Sequence, residues 1–240
     1  MFEQHLKQIQ SEAIAAFPNE AVWLITVAGC RRVENVHEKP EEAFAVRESD
    51  SRRAQAEGLL AVVHSHPKTA PVPSALDMQG QVNTGVPWGV LSADSTSATG
   101  ITWWGHSDVP PLIGRPFCHG VTDCYALVKD YYQVELGIAL PEYPRDWRWW
   151  EQGGNLLDEG FSAAGFRVID VSEARPGDVW IAQIGGRVPN HVGILLDNDL
   201  ALHQIGSGDP IDSSRPSARE PIYRYLRFVV KWLRHKDLDQ

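Results

Sequence analysis

The stretch Leu59-Leu60-Ala61-Val62-Val63-His64-Ser65-His66-Pro67, followed at fixed distances by Ser74 and Asp77, decides how the first half of this 240-residue chain folds and what it carries. The continuous apolar run reads as a buried strand. Residues two apart on a strand point to the same side, so His64 and His66 can grip one ion from the strand's end. Pro67 stops the strand, and Lys68 to Pro73, with Pro71 and Pro73 added to Pro67, reads as a loop. Ser74-Ala75-Leu76-Asp77 then opens a helix, which lets Asp77 swing in as a third ligand. Two imidazoles and one carboxylate leave the fourth position of a tetrahedral zinc site free, the mark of a catalytic rather than a structural site. Chemistry at such a site needs a base for the water's proton. Glu20 is the candidate, standing after Pro18-Asn19 and just before the strand-like Ala21-Val22-Trp23-Leu24-Ile25-Thr26-Val27. Ser-x-x-Asp ahead of a helical stretch is also a helix capping box, and Ser74 can serve both ways.

Glu20, His64, His66, Pro67, Ser74 and Asp77 together match, with no insertion, the pattern of the JAMM (MPN-plus) zinc peptidases, which the first half resembles. That pattern is a glutamate before the first strand, then His-x-His-Pro, six residues, Ser, two residues and Asp. The resemblance implies that Glu20 is the general acid/base, that His64, His66 and Asp77 hold Zn2+, and that Ser74 helps to stabilise the tetrahedral oxyanion.

From Phe117 the sequence changes character. Val121-Thr122-Asp123-Cys124 leads into the amphipathic run Tyr125 to Tyr132, which puts Cys124 at a helix N-terminus. The unpaired amides and the positive end of the helix dipole favour thiolate over thiol there, so a lowered pKa is expected. Its base should come from Asn190-His191-Val192-Gly193-Ile194-Leu195-Leu196 or Leu200-Ala201-Leu202-His203-Gln204-Ile205, two strand-like runs joined as a hairpin by Asp197-Asn198-Asp199. With those three residues as the loop, His191 faces Ile205 and His203 faces Gly193. Both histidines then lie on one face as diagonal neighbours about 7–8 Å apart at the backbone. One imidazole can take the thiol proton while the other fixes its tautomer. Cys118 is a rival nucleophile with no helix start directly behind it, and Cys30, inside a strand pattern, reads as packing.

Asp-Cys at a helix start, Asn-His-Val-Gly-Ile on a strand and a histidine on the next strand make the second half similar to the NlpC-type cysteine peptidases, a branch of the papain-like fold that cuts peptidoglycan stem peptides. Arg175-Pro176-Gly177-Asp178-Val179-Trp180 fits that family's Pro-Gly-Asp turn into a strand. The resemblance implies Cys124 as nucleophile, His191 as base and His203 as orienter. Two positions depart from the family. Its Asp-Cys-Ser-Gly reads Asp123-Cys124-Tyr125-Ala126 here, and the upstream tyrosine whose hydroxyl assists the oxyanion is met only by Phe117. Loss of one oxyanion donor costs about 10²–10³ in rate. The Cys124 amide and the His119 side chain are the groups that could substitute.

At 240 residues and 43% hydrophobic content, the chain can bury a core in each half. Gly105 to Arg115, with Pro110-Pro111, is the expected seam. The expected fold is α/β plus α+β in two domains: a mixed-sheet JAMM-like domain over residues 1–108 and a papain-like NlpC-type domain over 112–240. There is no apolar span of about 20 residues and no charged-then-apolar leader, so neither a membrane span nor a secretory signal is expected. Three cysteines without paired spacing suit a reducing compartment. A net charge of −9 without a basic tract speaks against nucleic acid as partner and against tight adhesion to anionic wall polymers. Lys231, Arg234, His235 and Lys236 form a small basic end, expected to be solvated. Trp147, Trp149 and Trp150 could stack on sugar rings or a partner, with a core role expected for at least one.

The pairing of these two domains, in this order and at this length, resembles the tail-tip (tail assembly) proteins of long-tailed phages and their prophage relatives over essentially the whole chain. The resemblance includes Gly114-Arg115-Pro116-Phe117 and the Trp-rich stretch. It implies residence in the host cytoplasm during assembly and then in the virion tail tip, with other tail-tip proteins and peptidoglycan stem peptides as partners. An assembly factor whose vestigial enzyme folds act as docking modules is the alternative. A deubiquitinase-like enzyme acting on small-modifier conjugates follows from the zinc domain alone.

Overall fold

The computed structural model describes residues 1–239, and the chain divides after Asp108 into two compact units. The first contains α1 (Leu6–Ala16), β1 (Val22–Thr26), β2 (Gly29–Val33), α2 (Glu48–Ala56), β3 (Leu59–Pro67), α3 (Ala75–Thr84), β4 (Trp88–Ala93) and β5 (Thr102–Trp104). Its sheet runs β2-β1-β3-β4-β5. β3 and β4 pair in parallel, which a tight turn cannot connect, and α3 supplies the crossover. Alternation along the strands sends Trp23, Ile25, Ala61 and Val63 to one face, where they pack on Ile9 and Ala13 of α1. Val22, Leu24, Val62 and His64 take the other. The β3 strand extends one residue further than expected, since Pro67 pairs with Ala93 at the strand's end, where a missing N–H is tolerated.

The second unit contains β6 (Phe117–Cys118), α4 (Cys124–Leu136), α5 (Leu156–Ala163), β7 (Phe166–Ile169), β8 (Val179–Ala182), β9 (His191–Leu196), β10 (Leu200–His203), β11 (Ile211–Asp212), β12 (Ala218–Pro221) and β13 (Val229–His235). Six strands form an antiparallel sheet in the order β12-β10-β9-β8-β13-β7, and β11 pairs with β6 separately. Leu127, Val128 and Tyr132 of α4 pack against Val192, Ile194 and Leu202. Each such fully buried aliphatic side chain contributes about 1.5–3 kcal/mol, so α4 is firmly seated and the position of its first residue is fixed. A mixed sheet with helices in one unit and an antiparallel sheet with helices in the other give the α/β plus α+β architecture.

The basic C-terminal end is solvated only in part: Lys236 is exposed and Lys231 partly so, but Arg234 and His235 are not. β13 is an interior strand, so Arg234 and His235 are covered. Arg234 grips Asp178 through two bonds of 2.8 and 2.7 Å, and Asp178 also accepts the Arg175 amide at 2.8 Å. The Pro-Gly-Asp turn is thereby clamped, and with it the entry to β8. No helix among the described residues is long and apolar enough to cross a membrane.

Two candidate active sites

At the C-terminal end of β3, His64 Nε2 and His66 Nε2 stand 3.1 Å apart. Asp77 puts Oδ1 3.3 Å from the first and Oδ2 3.6 Å from the second. Ligands around a tetrahedral ion with zinc–nitrogen bonds of about 2.0–2.1 Å lie roughly 3.3 Å from one another. The spacing therefore fits a zinc-sized ion, and two imidazoles with one carboxylate are a donor set that suits it. The position of Asp77 comes from α3, whose capping box is complete. Ser74 N and Oγ donate to Asp77 Oδ2 at 2.8 and 2.7 Å, and Asp77 N donates back to Ser74 Oγ at 3.2 Å. The Ser74 hydroxyl proton is thus directed to Asp77, so Ser74 holds that carboxylate in place.

His64 is fully buried against Phe44 and Trp88, with ring centroids at 4.8 and 6.1 Å. Burial holds its pKa down, which favours the neutral imidazole that a metal ion would need. Burial also opposes ionisation of Asp77, but His64, His66 and Ser74 outweigh it and hold the carboxyl far below the usual range. Glu20 sits just outside this set, Oε1 3.9 Å from His66 Nε2. Burial pushes its carboxyl up to about 7, against the pull of His66 and with a contribution from the Asp77 charge. A group with that pKa is suited to taking and returning a proton at neutral pH.

In the second unit, Cys124 is the first residue of α4. Asp123 caps the helix by accepting the Ala126 amide at 3.0 Å, holds the Gly120 amide at 2.8 Å, and receives Arg145 through bonds of 2.9 and 2.8 Å. The hairpin has the anticipated register, with His203 opposite Gly193. His191 Nε2 and His203 Nδ1 are 3.2 Å apart. His203 Nε2 lies 3.5 Å from Glu220 Oε2, and Glu220 also receives the Tyr225 hydroxyl. A protonated His203 Nε2 facing this carboxylate leaves His203 Nδ1 to accept from His191 Nε2–H. His191 Nδ1 then carries a lone pair. Cys124 and His191 line one cavity of about 380 Å³.

The expected thiolate is not what this setting favours. Burial pushes the Cys124 thiol up to about 12, and the Asp123 carboxylate adds to the rise. Arg145 and the Val192 and Tyr125 amides pull the other way without offsetting it. His191 is held well below its ordinary value by burial and by His203. The resting pair is a neutral thiol beside a neutral imidazole. Cys118 is pushed to about 12 by burial and bonds only weakly to the His119 carbonyl, while Cys30 packs against the α1 core.

Sequence profiles connect both geometries to known proteins. The profile of the NlpC/P60 family matches residues 114–230, and that of the prokaryotic homologs of the JAB domain matches residues 2–105. The tail tip assembly protein K of Escherichia phage lambda is 37% identical over 186 residues, covering 77% of this chain and 83% of that protein. The chain belongs to the tail tip assembly protein K family. The tail tip assembly protein K of Escherichia phage N15 is 33% identical over 214 residues, covering 85% of this chain and 86% of that protein. Among solved structures, NlpC1 from Trichomonas vaginalis aligns with a TM-score of 0.36 and 17% identity, covering 51% of this chain and 39% of that one.

Relative to the sequence pattern, the structure of this family member adds residues and removes one. His119 Nε2 donates to the Arg145 carbonyl at 3.1 Å, and a neutral imidazole has no second N–H, so His119 does not replace the missing tyrosine as an oxyanion donor. Phe117 contributes only an apolar wall, edge-on to Trp147. All three tryptophans line the Cys124 cavity, and Trp149 also packs on the α4 core. Arg145 and Glu220 were not legible as site residues: Arg145 comes from a loop, and Glu220 arrives through the pairing of β12 with β10, where it stands opposite Ala201.

Gly193 makes the histidine pair possible, because a Cβ there would come within 2.4 Å of the Trp180 ring and 3.0 Å of His203 Cβ. Gly193→Ala is expected to cost about 1–3 kcal/mol as overpacking and to lower the thermal midpoint in a melting experiment. An unchanged midpoint would show that the Trp180 ring has room to move. Glu220→Gln leaves an amide facing His203 and is expected to reduce turnover at Cys124 about tenfold or more with little change in KM, as loss of an orienting partner. Equal loss in both parameters would make Glu220 a substrate contact.

Proposed function

We propose that this chain is a tail-tip protein of a phage or prophage that hydrolyses peptidoglycan stem peptides with Cys124, His191 and His203. We further assign it a second, Zn2+-dependent amide or isopeptide hydrolase site formed by His64, His66 and Asp77 with Glu20. The carrying observation is the 3.2 Å pairing of His191 with His203, together with a cysteine that begins a helix and lines the same cavity as His191. As the Cys124 sulfur attacks a stem-peptide carbonyl, its proton passes to His191 Nδ1, and His203 and Glu220 steady the imidazolium. His191 then returns the proton to the departing amine, leaving a thioester that water hydrolyses with His191 again as base. In the first unit, Zn2+ would polarise the amide carbonyl and acidify water. Glu20 takes and returns the proton there, and Ser74 keeps Asp77 aimed.

The chain would be made in the host cytoplasm, join other tail proteins and be carried to the wall in the tail tip. Zinc-loaded wild type is expected to release soluble peptides from purified diaminopimelate-type peptidoglycan; no release from zinc-loaded protein would remove the wall-hydrolase reading. The Phe117 side chain and the committed N–H of His119 favour one second reading, an assembly factor with vestigial catalysis, because the cysteine site is short of an oxyanion donor. Particles built with Cys124→Ala/His64→Ala separate the two. Normal tails that fail only at infection would support catalysis, and absent tails would support assembly.

A further inference from the structure

The sheet face of the first unit opposite α1 carries a long groove that begins at the metal-type site. A cavity of about 730 Å³ runs from Glu20, His66 and Asp77 to Leu59 and Gln55. Leu24, Val62 and Trp88 lie on the sheet side of it, and Phe44 and Ala54 close it from outside. Along β3, Leu59 and His66 are seven residue steps apart, with a bulge between Leu59 and Ala61 that turns Leu59 to the groove face, so the span is about 20 Å at roughly 3.3 Å per residue. An extended chain of about six or seven residues has that length.

The chemistry of the lining narrows the occupant. Apart from the site itself, the groove is chiefly apolar, and its lip carries Glu41 and Glu42. No lysine or arginine among the described residues lines it. Stem peptides of peptidoglycan present methyl side chains and the free carboxylates of D-glutamate and diaminopimelate. Methyl groups would leave such a groove largely unfilled, forfeiting burial of apolar surface, and the carboxylates would meet like charge. In the cavity beside Cys124, of about 380 Å³ and lined by three tryptophans, Arg145 and Arg148 pair with Asp123 and Glu151, so the carboxylates of a stem peptide meet no excess of like charge there.

We infer that the groove leading to His64, His66 and Asp77 receives an extended segment of a partner protein chain with bulky apolar side chains, and that stem peptides are left to Cys124. As a statement about catalysis this rests on the proposed zinc-hydrolase reading; as a statement about binding it does not. The test uses the full zinc-loaded chain and two probes. One is an N-acetylated heptapeptide amide with Leu, Phe and Val at alternate positions and lysine between them. The other is the tetrapeptide L-Ala-γ-D-Glu-diaminopimelate-D-Ala. Binding is read by NMR from the Trp88 indole N–H and the Leu24 and Val62 methyls.

The heptapeptide is expected to shift these signals saturably, while the stem peptide shifts only signals around Cys124. Leu59→Glu, at the end of the groove away from the metal ligands, is expected to weaken heptapeptide binding at least tenfold with zinc content unchanged. Leu76→Glu should act likewise at the other end, and Leu76 is 79% exposed, so this substitution spares the core. The inference is overturned if the heptapeptide leaves the groove signals in place, or if the stem peptide moves them at equal or lower concentration. It is also overturned if they shift on concentrating the chain alone, which would assign the groove to a second copy. A chain that takes up no zinc but binds the heptapeptide in the groove would support the docking inference while removing the zinc-hydrolase reading.

Discussion

Exchange of Cys124 for alanine is expected to lower peptide release from diaminopimelate-type peptidoglycan roughly 10⁴-fold or more, as removal of a nucleophile does in hydrolases of this logic. The fold should survive. Asp123 keeps its cap on α4 and its grip on Arg145, and a small side chain is replaced by a smaller one at a half-buried position. The thermal midpoint should therefore move by no more than about 4 °C. The protonation states make the prediction sharper. Because burial raises the Cys124 thiol to about 12, it stays protonated across neutrality, so iodoacetamide labelling should be slow near neutral pH and rise only in strongly alkaline buffer. An ordinary thiol, half-ionised at about 8.5, labels well before that. On the acid side, His191 must be neutral to act as base, and its depressed pKa keeps it so below the ordinary imidazole range. Release should thus persist as pH falls through about 6.5 and fade only further down. Rapid labelling of Cys124 below neutrality would mean a preformed thiolate, contrary to this account, and undiminished release by Cys124→Ala would remove the cysteine mechanism.

Motifs that depend on local geometry were readable from the chain, whereas effects that depend on enclosure were not. His64 and His66 share a side because strands have a period of two, and the hairpin register follows from a three-residue loop; both are properties of a few neighbouring residues. Ser74 and Asp77 were legible as a capping box for the same reason. The helix-start effect that predicts a lowered Cys124 pKa is local, while the burial that outweighs it is created by the packed second unit as a whole. The basic C-terminal end follows the same rule: Lys231, Arg234, His235 and Lys236 look solvated in sequence, but β13 is an interior strand with Asp178 beside Arg234. Glu220 and Arg145 could not be found from spacing at all, since each reaches its partner only through the tertiary fold. The family resemblance supplies the roles proposed for Cys124 and His191, but it gives no sign that the N–H of His119 is already taken.

In the first unit, His66→Ala and Glu20→Gln are expected to fail in different ways. Both are best measured in a chain that also carries Cys124→Ala, so that hydrolysis of peptide amides reports the first unit alone. His66 lies at the mouth of the site, and its removal leaves His64 and Asp77 as two ligands; bound zinc per chain should fall from about one to near zero, and hydrolysis should vanish with it. Glu20 is outside the ligand group, with its carboxyl raised by burial to about 7. Glutamine keeps its size and much of its hydrogen bonding while abolishing proton transfer. Zinc content should therefore remain near one per chain, and the hydrolysis rate should drop about 10²–10⁴-fold, the usual contribution of a general acid/base. Loss of zinc in Glu20→Gln would move Glu20 into the ligand set, and full activity in that variant would leave the site without its proposed base. Retention of zinc by His66→Ala would deny that His64, His66 and Asp77 act as one metal site, even though their ligand atoms lie within 4.8 Å of one another.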